Sequence, residues 1–270
     1  MRSNTNKAAS TDTTHARSSW DAFLAKEHSE IGYKQYGWWA RLQAKRGWDH
    51  FKVVIGDGDR RILGGARVWV RHTGEDTCYF HIADGPVLPR DPQQAPQVFD
   101  ATMGAIDEQR AAAEKTVTHL HMEPRWREVP AFVMGFRETS KWKEPRNTLC
   151  VDLSLSEDQI LAQMKKKGRY NARLAARKGV TVVEDNTRRG LEDFISLYKD
   201  TAKRQGIRRH STRTIRALGK YIRRKDRGTL LFAEYEGIRL ATSLMLQAGH
   251  WATYKYGGQR GVLREVMAPY

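Results

Sequence analysis

Lys165, Arg169, Arg173 and Arg177 recur at every fourth residue between Met164 and Val180, with Lys167 among them and no acidic residue interrupting. On a helix this spacing keeps the cations in one slowly drifting stripe. Each like-charged pair costs about 0.2–0.5 kcal/mol, so the stripe is held most easily against an anion such as a phosphate chain. A solvated helix face is the other reading, and charge alone leaves both open. Ser156 followed by Glu157 and Asp158 predicts a helix start, because a side-chain oxygen and two carboxylates suit first-turn N–H groups. Gly179 predicts the stop, so a single helix is expected from 156 to 178.

Tyr254 and Tyr256 stand at i and i+2 on the last predicted strand, which puts two phenols on one face and Lys255 on the other. They can stack on a base or hydrogen-bond a phosphate, or they belong to the core. The predicted helix-to-helix loop Gly206-Ile207-Arg208-Arg209-His210 collects three cationic or titratable groups, for which a solvated loop is the alternative. His119 and His121 alternate on a strand but lack a third ligand at metal spacing, so satisfied strand histidines are the better reading. Arg61-Ile62-Leu63-Gly64-Gly65-Ala66 fits an R-x-x-G-x-A phosphate loop, yet it runs from strand to strand, without the helix N-terminus that gathers N–H groups onto a pyrophosphate. Gly257-Gly258-Gln259 is similar to the tripeptide with which release factors guide water, a short and weak match. There is no G-x-S-x-G, H-E-x-x-H or Walker loop. A covalent nucleophile is unsupported, and catalysis would rest on positioning and electrostatics.

These groups need a scaffold, and 270 residues suffice for one large or two ordinary domains. Lys and Arg number 47 against 31 Asp and Glu, giving +16 at pH 7. That balance points to polyanionic partners: RNA, phosphorylated small molecules or an anionic membrane surface. Cys78 and Cys150 sit in apolar strand-like runs and are expected to be buried thiols. No apolar run is long enough to span a bilayer, and the start lacks a signal-peptide core, so a cytoplasmic, reduced protein is expected.

In order, residues 1–16 read as a disordered lead-in. Helices follow near Trp20 and from Tyr36 to Arg46, the latter with Lys45 near its end. A hairpin over Phe51–Val70 turns at Gly56-Asp57-Gly58-Asp59, and a strand covers Cys78–Ile82. A helix from Pro92 to Lys115 and a strand from Val117 to Met122 come next. A short helical piece then closes at Gly135-Phe136, and a strand over 147–153 hands over to the basic helix. The second half reads as a strand at Val180–Val183, helices over Leu191–Gln205 and Ser211–Arg224, and strands at Thr229–Tyr235, Ala241–Gln247 and Trp251–Tyr256. Paired helices followed by antiparallel strands predict a mixed α/β, α+β-type fold of acyltransferase layers rather than a doubly wound parallel sheet. The expected division is 17–150 and 151–270.

The run Arg146-Asn147-Thr148-Leu149-Cys150-Val151-Asp152-Leu153-Ser154, then Met164 to Ala175 and Lys178-Gly179-Val180, resembles the Fem (FemABX) family of aminoacyl-tRNA-dependent peptidyltransferases. Trp39 to Trp48, Ala83 to Val87, Met122-Glu123-Pro124, Phe194 to Gly206, Phe232 to Gly237 and Tyr254 to Gly258 agree in order. The resemblance implies tandem GNAT-like domains, the acceptor lying in the cleft between or beside them. It implies transfer of an amino acid from aminoacyl-tRNA to the stem-peptide amine of a UDP-muropeptide or lipid II, with no cofactor and no metal. By the same likeness, Lys45, Arg209 and His210 would hold precursor phosphates, His210 standing where relatives carry Arg. Tyr254 and Tyr256 would line the acceptor site, Glu123 would orient the attacking amine, and Lys165, Lys167, Arg169, Arg173 and Arg177 would face tRNA. Work at the inner membrane face, with peripheral contact to anionic lipid, follows from a lipid-linked acceptor. The likeness is to compact members without a coiled-coil arm. It also leads one to expect a second domain incomplete at its C-terminal side, poorly stable and weak in activity, without the family's carbonyl-polarising Lys. The alternatives are an acyl-CoA-dependent N-acyltransferase and a non-enzymatic RNA-binding module.

Overall fold

A computed structural model describes residues 17–57, 61–141, 143–145, 147–208, 210–223 and 227–270. The expected lead-in, the tip of the first hairpin at Gly58 and Asp59, and Arg209 lie outside these. The chain divides into two compact units, Met1–Arg146 with Ala248–Trp251, and Asn147–Gln247 with Ala252–Tyr270.

The first unit is built on a four-stranded sheet of order β1-β2-β3-β4: β1 (Asp49–Gly56), β2 (Ile62–His72), β3 (Thr77–Ala83) and β4 (Thr116–Glu123). The first two pairings are antiparallel, and β3 pairs β4 in parallel across the helix α3 (Ala95–Ala111). Strand alternation sends Val53, Ile55, Ala66, Val68, Phe80 and Ile82 into one core with Val98, Ala105 and Ile106 of α3. Burying these side chains against a helix is what stabilises the sheet. The opposite parity carries Arg67, Trp69, Arg71, Tyr79 and His81, aligned by the pairs Trp69 with His81, Arg71 with Tyr79, and His81 with His121.

Helices α1 (Arg17–Glu27) and α2 (Gly37–Ala44) bury Trp20, Trp38, Trp39 and Leu42. The buried Gln35 ties the turn between them to the sheet. Its Nε2 donates to Ala83 O at 2.7 Å, and its Oε1 accepts from Arg67 N at 2.8 Å. Arg67 returns Nε to Gln35 O at 3.1 Å, and burial brings its pKa down to about 10. The end of β3, where Asp84 begins, is fixed in this way.

The second unit contains α4 (Glu157–Gln163), α5 (Lys166–Arg177), β5 (Thr181–Glu184), α6 (Arg188–Gln205), α7 (Thr212–Ile222), β6 (Gly228–Tyr235), β7 (Ile238–Ala248) and β8 (Trp251–Gln259). Its sheet order is β5-β6-β7-β8, and β6 and β7 turn at Glu236-Gly237, both with positive φ. Phe194, Leu197, Ile215, Leu218 and Ile222 of the two helices and Leu230, Phe232 and Leu244 of the sheet are buried. Arg239 locks the layers by reaching Asp185, Asp193 and Glu234 at 2.7–2.9 Å. The expected mixed α/β class, as opposed to a doubly wound sheet, is what forms.

Four expectations are corrected. The single helix from 156 to 178 is two helices, broken where Met164 and Lys165 take extended backbone. Ser156 and Gln159 form a reciprocal capping box on α4, as the start signal predicts, but the helix lasts only seven residues. The piece before Gly135 is not helical; its hydrogen bonds, Val133 N to Pro130 O and Met134 N to Phe132 O, are isolated turns. Residues 147–153 are not a strand either. Leu149 is 89 % exposed and Cys150 is exposed rather than buried, because among the described residues no strand pairs with the run, whereas Cys78 is buried as expected.

Candidate functional site

At the C-terminal ends of β3 and β4 the parallel register brings His81, His121 and Glu123 together, all buried. Glu123 Oε2 is 2.9 Å from His81 Nε2, and Oε1 accepts the backbone N–H groups of Lys143 at 2.5 Å and Glu144 at 3.2 Å. His121 Nε2 lies 3.3 Å from the same Oε1. Burial would raise the Glu123 pKa, but these donors outweigh it and hold it below the ordinary carboxylate range. Burial pushes His81 the other way, below 6.5, against the pull of Glu123. The pair is therefore a neutral imidazole, protonated at Nε2, donating to a carboxylate. His81 Nδ1 is left buried without a partner.

The carboxylate holds a second layer through the backbone it binds. Glu144 pairs with Lys34 Nζ at 2.7 Å, and Lys34 is 3.8 Å from Asp84. On the same face of the sheet, His119 stacks on Tyr79 at 4.8 Å with the rings 4° from parallel. Lys143 lies over the Tyr79 ring, and Arg71 lies 3.6 Å over that of Trp48. The result is a band of aromatic and cationic groups beside a buried carboxylate, suited to an anionic or planar ligand.

In the second unit, Tyr254 is 63 % exposed and lines a cavity of about 460 Å³ with Thr201, Thr242, Ser243, Gly258 and Gln259. Burial of its hydroxyl raises the pKa, so the phenol stays protonated. Tyr256 joins a different group, with Tyr198 at 5.7 Å and His210 at 5.1 Å, and the Tyr198 hydroxyl accepts the His210 N–H at 3.4 Å. The two tyrosines thus share a strand but not a set of neighbours. Lys45 is the exposed C-cap of α2, in the first unit.

Along α5, Asn171 and Ala175 are buried, and Lys167, Arg173 and Arg177 are left on accessible surface. Arg169 differs. Its Nη1 donates to the carbonyls of Ala162 at 3.1 Å and Met164 at 3.4 Å, so it satisfies the end of α4 where the predicted helix breaks. Two motif glycines serve packing: a Cβ at Gly64 would strike Val87 O and Val98, and one at Gly258 would lie 2.7 Å from the α6 backbone at Leu197. Among the described residues no group of three His, Cys, Asp or Glu is placed to hold a metal ion. Nor is any helix among them long and apolar enough to cross a membrane.

Sequence reading missed His81, Tyr79 and Arg71, and took His121 for a satisfied strand histidine in preference to a metal ligand, without its carboxylate neighbour Glu123. The signal present was parity: 79 and 81 on one strand, 119, 121 and 123 on another.

The architecture, two units each with a mixed α/β, GNAT-like sheet, matches a crystal structure of FemX with a TM-score of 0.80, covering 94 % of this chain and 81 % of that one at 17 % identity. The profile of the FemAB family matches residues 105–221. A lipid II:glycine glycyltransferase of Staphylococcus aureus (strain COL) is 26 % identical over 204 residues, spanning 69 % of this chain and 46 % of that protein. Its counterpart in strain NCTC 8325 / PS 47 is 25 % identical over 199 residues with the same coverage. The chain thus spans about half the length of these curated relatives. Together the findings show a chain with the fold of FemX and with sequence similarity to FemAB-family proteins over part of its length.

Proposed function

We propose that this chain is part of an aminoacyltransferase that moves an amino acid from aminoacyl-tRNA to the stem-peptide amine of a peptidoglycan precursor, lipid II in the first instance. The observation that carries the reading is its similarity to two proteins named lipid II:glycine glycyltransferases. The site chemistry is compatible. The amine nitrogen attacks the ester carbonyl of the charged tRNA, the C–N bond forms, and the C–O bond to the ribose breaks. The amine's proton leaves to the ribose oxygen or to solvent. An ester already activated needs no acyl-enzyme, consistent with the lack of a nucleophile motif.

In this reading Lys165, Lys167, Arg173 and Arg177 meet tRNA phosphates through charge. Lys45, Arg209 and His210 serve precursor phosphates, and Tyr254 and Tyr256 serve the acceptor. Glu123, whose oxygens are occupied by His81 and two backbone N–H groups, acts as a positioning residue for the 143–144 backbone and Lys34. The test supplies the purified protein with total charged tRNA and lysine- or diaminopimelate-type precursors, both lipid-linked and nucleotide-linked. Labelled amino acid in the precursor is expected; its absence from every acceptor would end the proposal.

A further inference from the structure

Residues 124–141 of the first unit carry no helix or strand, yet they are anchored. Trp126, Phe132 and Phe136 each pack on Phe99 of α3, at 6.4, 5.6 and 6.1 Å between ring centres. That anchorage leaves Val129 73 %, Met134 77 % and Phe136 40 % exposed. Single exposed apolar side chains are ordinary, but three within eight residues on a fixed loop are not. Arg127, Arg137 and Lys141 flank them and are exposed, and between 125 and 143 five basic residues face Glu128 and Glu138.

We infer that the loop 127–141 is a membrane-docking surface for an anionic bilayer. Val129, Met134 and the edge of Phe136 enter the boundary between headgroups and acyl chains, and Arg127, Arg137 and Lys141 meet lipid phosphates. The positive rim fits an anionic lipid surface, and the chain's +16 charge draws the protein toward one. The inference rests on the lipid-linked reading only for its purpose, that of bringing the protein to its acceptor. Its test contains neither tRNA nor precursor, so the two ideas fail separately.

The experiment is cosedimentation with vesicles of phosphatidylcholine containing about one third phosphatidylglycerol, against phosphatidylcholine alone. The unsubstituted protein is expected to bind the anionic vesicles, and V129S/M134S to bind them about tenfold more weakly. Both side chains are exposed, so the variant should melt like the unsubstituted protein. In a second measurement M134C in a C150S background carries an environment-sensitive dye, and its emission should shift to the blue on anionic vesicles. Failure of the unsubstituted protein to bind, undiminished binding by V129S/M134S, or an unmoved dye spectrum on bound protein would each overturn the inference. The last two outcomes would assign the attraction to dispersed charge such as that of α5.

Discussion

His81 and Glu123 meet at 2.9 Å across the parallel pairing of β3 and β4, a neutral imidazole donating to a buried carboxylate. Unfolded, His81 takes up a proton near pH 6.5; folded, it resists until lower pH. The unfolded chain therefore binds more protons in that window, and stability falls as pH is lowered from about 7 to 5. His81→Gln keeps a donor in place and should flatten part of this slope, leaving the share of His28, likewise lowered by burial. Urea unfolding at several pH values measures it; an unchanged slope would refute the protonation assignment.

Glu123→Ala should cost about 2–4 kcal/mol, because it strands two backbone donors and His81 in the interior. Its folded pKa is depressed, so the wild-type contribution is present above about pH 4.5 and is lost as pH falls through the folded value. Denaturant midpoints of the variant and the wild type should therefore converge in acid.

Arg239 draws carboxylates from the residue after β5, from α6 and from β6 onto one guanidinium. Arg239→Ala should destabilise the second unit by about 1–3 kcal/mol, discounted for partial exposure and shrinking in high salt. Thermal melts at two salt concentrations read this directly, and a loss independent of salt would point to packing on Phe232 instead.

Gly258→Ala puts a methyl group against the backbone of α6, which cannot yield as a flexible side chain does. A loss of about 2–3 kcal/mol is expected. Hydrogen exchange should show the loss locally at Thr201 and Gln259, which exchange hydrogen bonds of 2.7 and 3.0 Å beside it. Wild-type protection there would count against this close approach.

Replacing Lys167, Arg173 and Arg177 by Ala should weaken RNA binding and lower the salt slope by roughly 2 to 3, about 0.7–0.9 for each phosphate that is no longer neutralised. Arg169→Ala should instead lower helicity at the α4–α5 junction, since its guanidinium already caps carbonyls. Filter binding across a salt series, with circular dichroism of each variant, separates the two effects.

What the sequence determined by itself was local. The cap at Ser156, the strands around Val53–Ile55 and Phe80–Ile82, the cationic stripe of α5 and the mixed α/β class all follow from neighbours a few residues apart. Tertiary structure decided the rest. His81 and Glu123 are 42 positions apart and become partners only through parallel pairing, whose register no short window encodes. Residues 147–153 alternate like a strand but pair with no strand among the described residues, and Arg169 belongs to the stripe by spacing yet leaves it because free carbonyls lie within reach. Periodicity says which face a side chain takes, whereas hydrogen-bond supply and burial decide what meets it there.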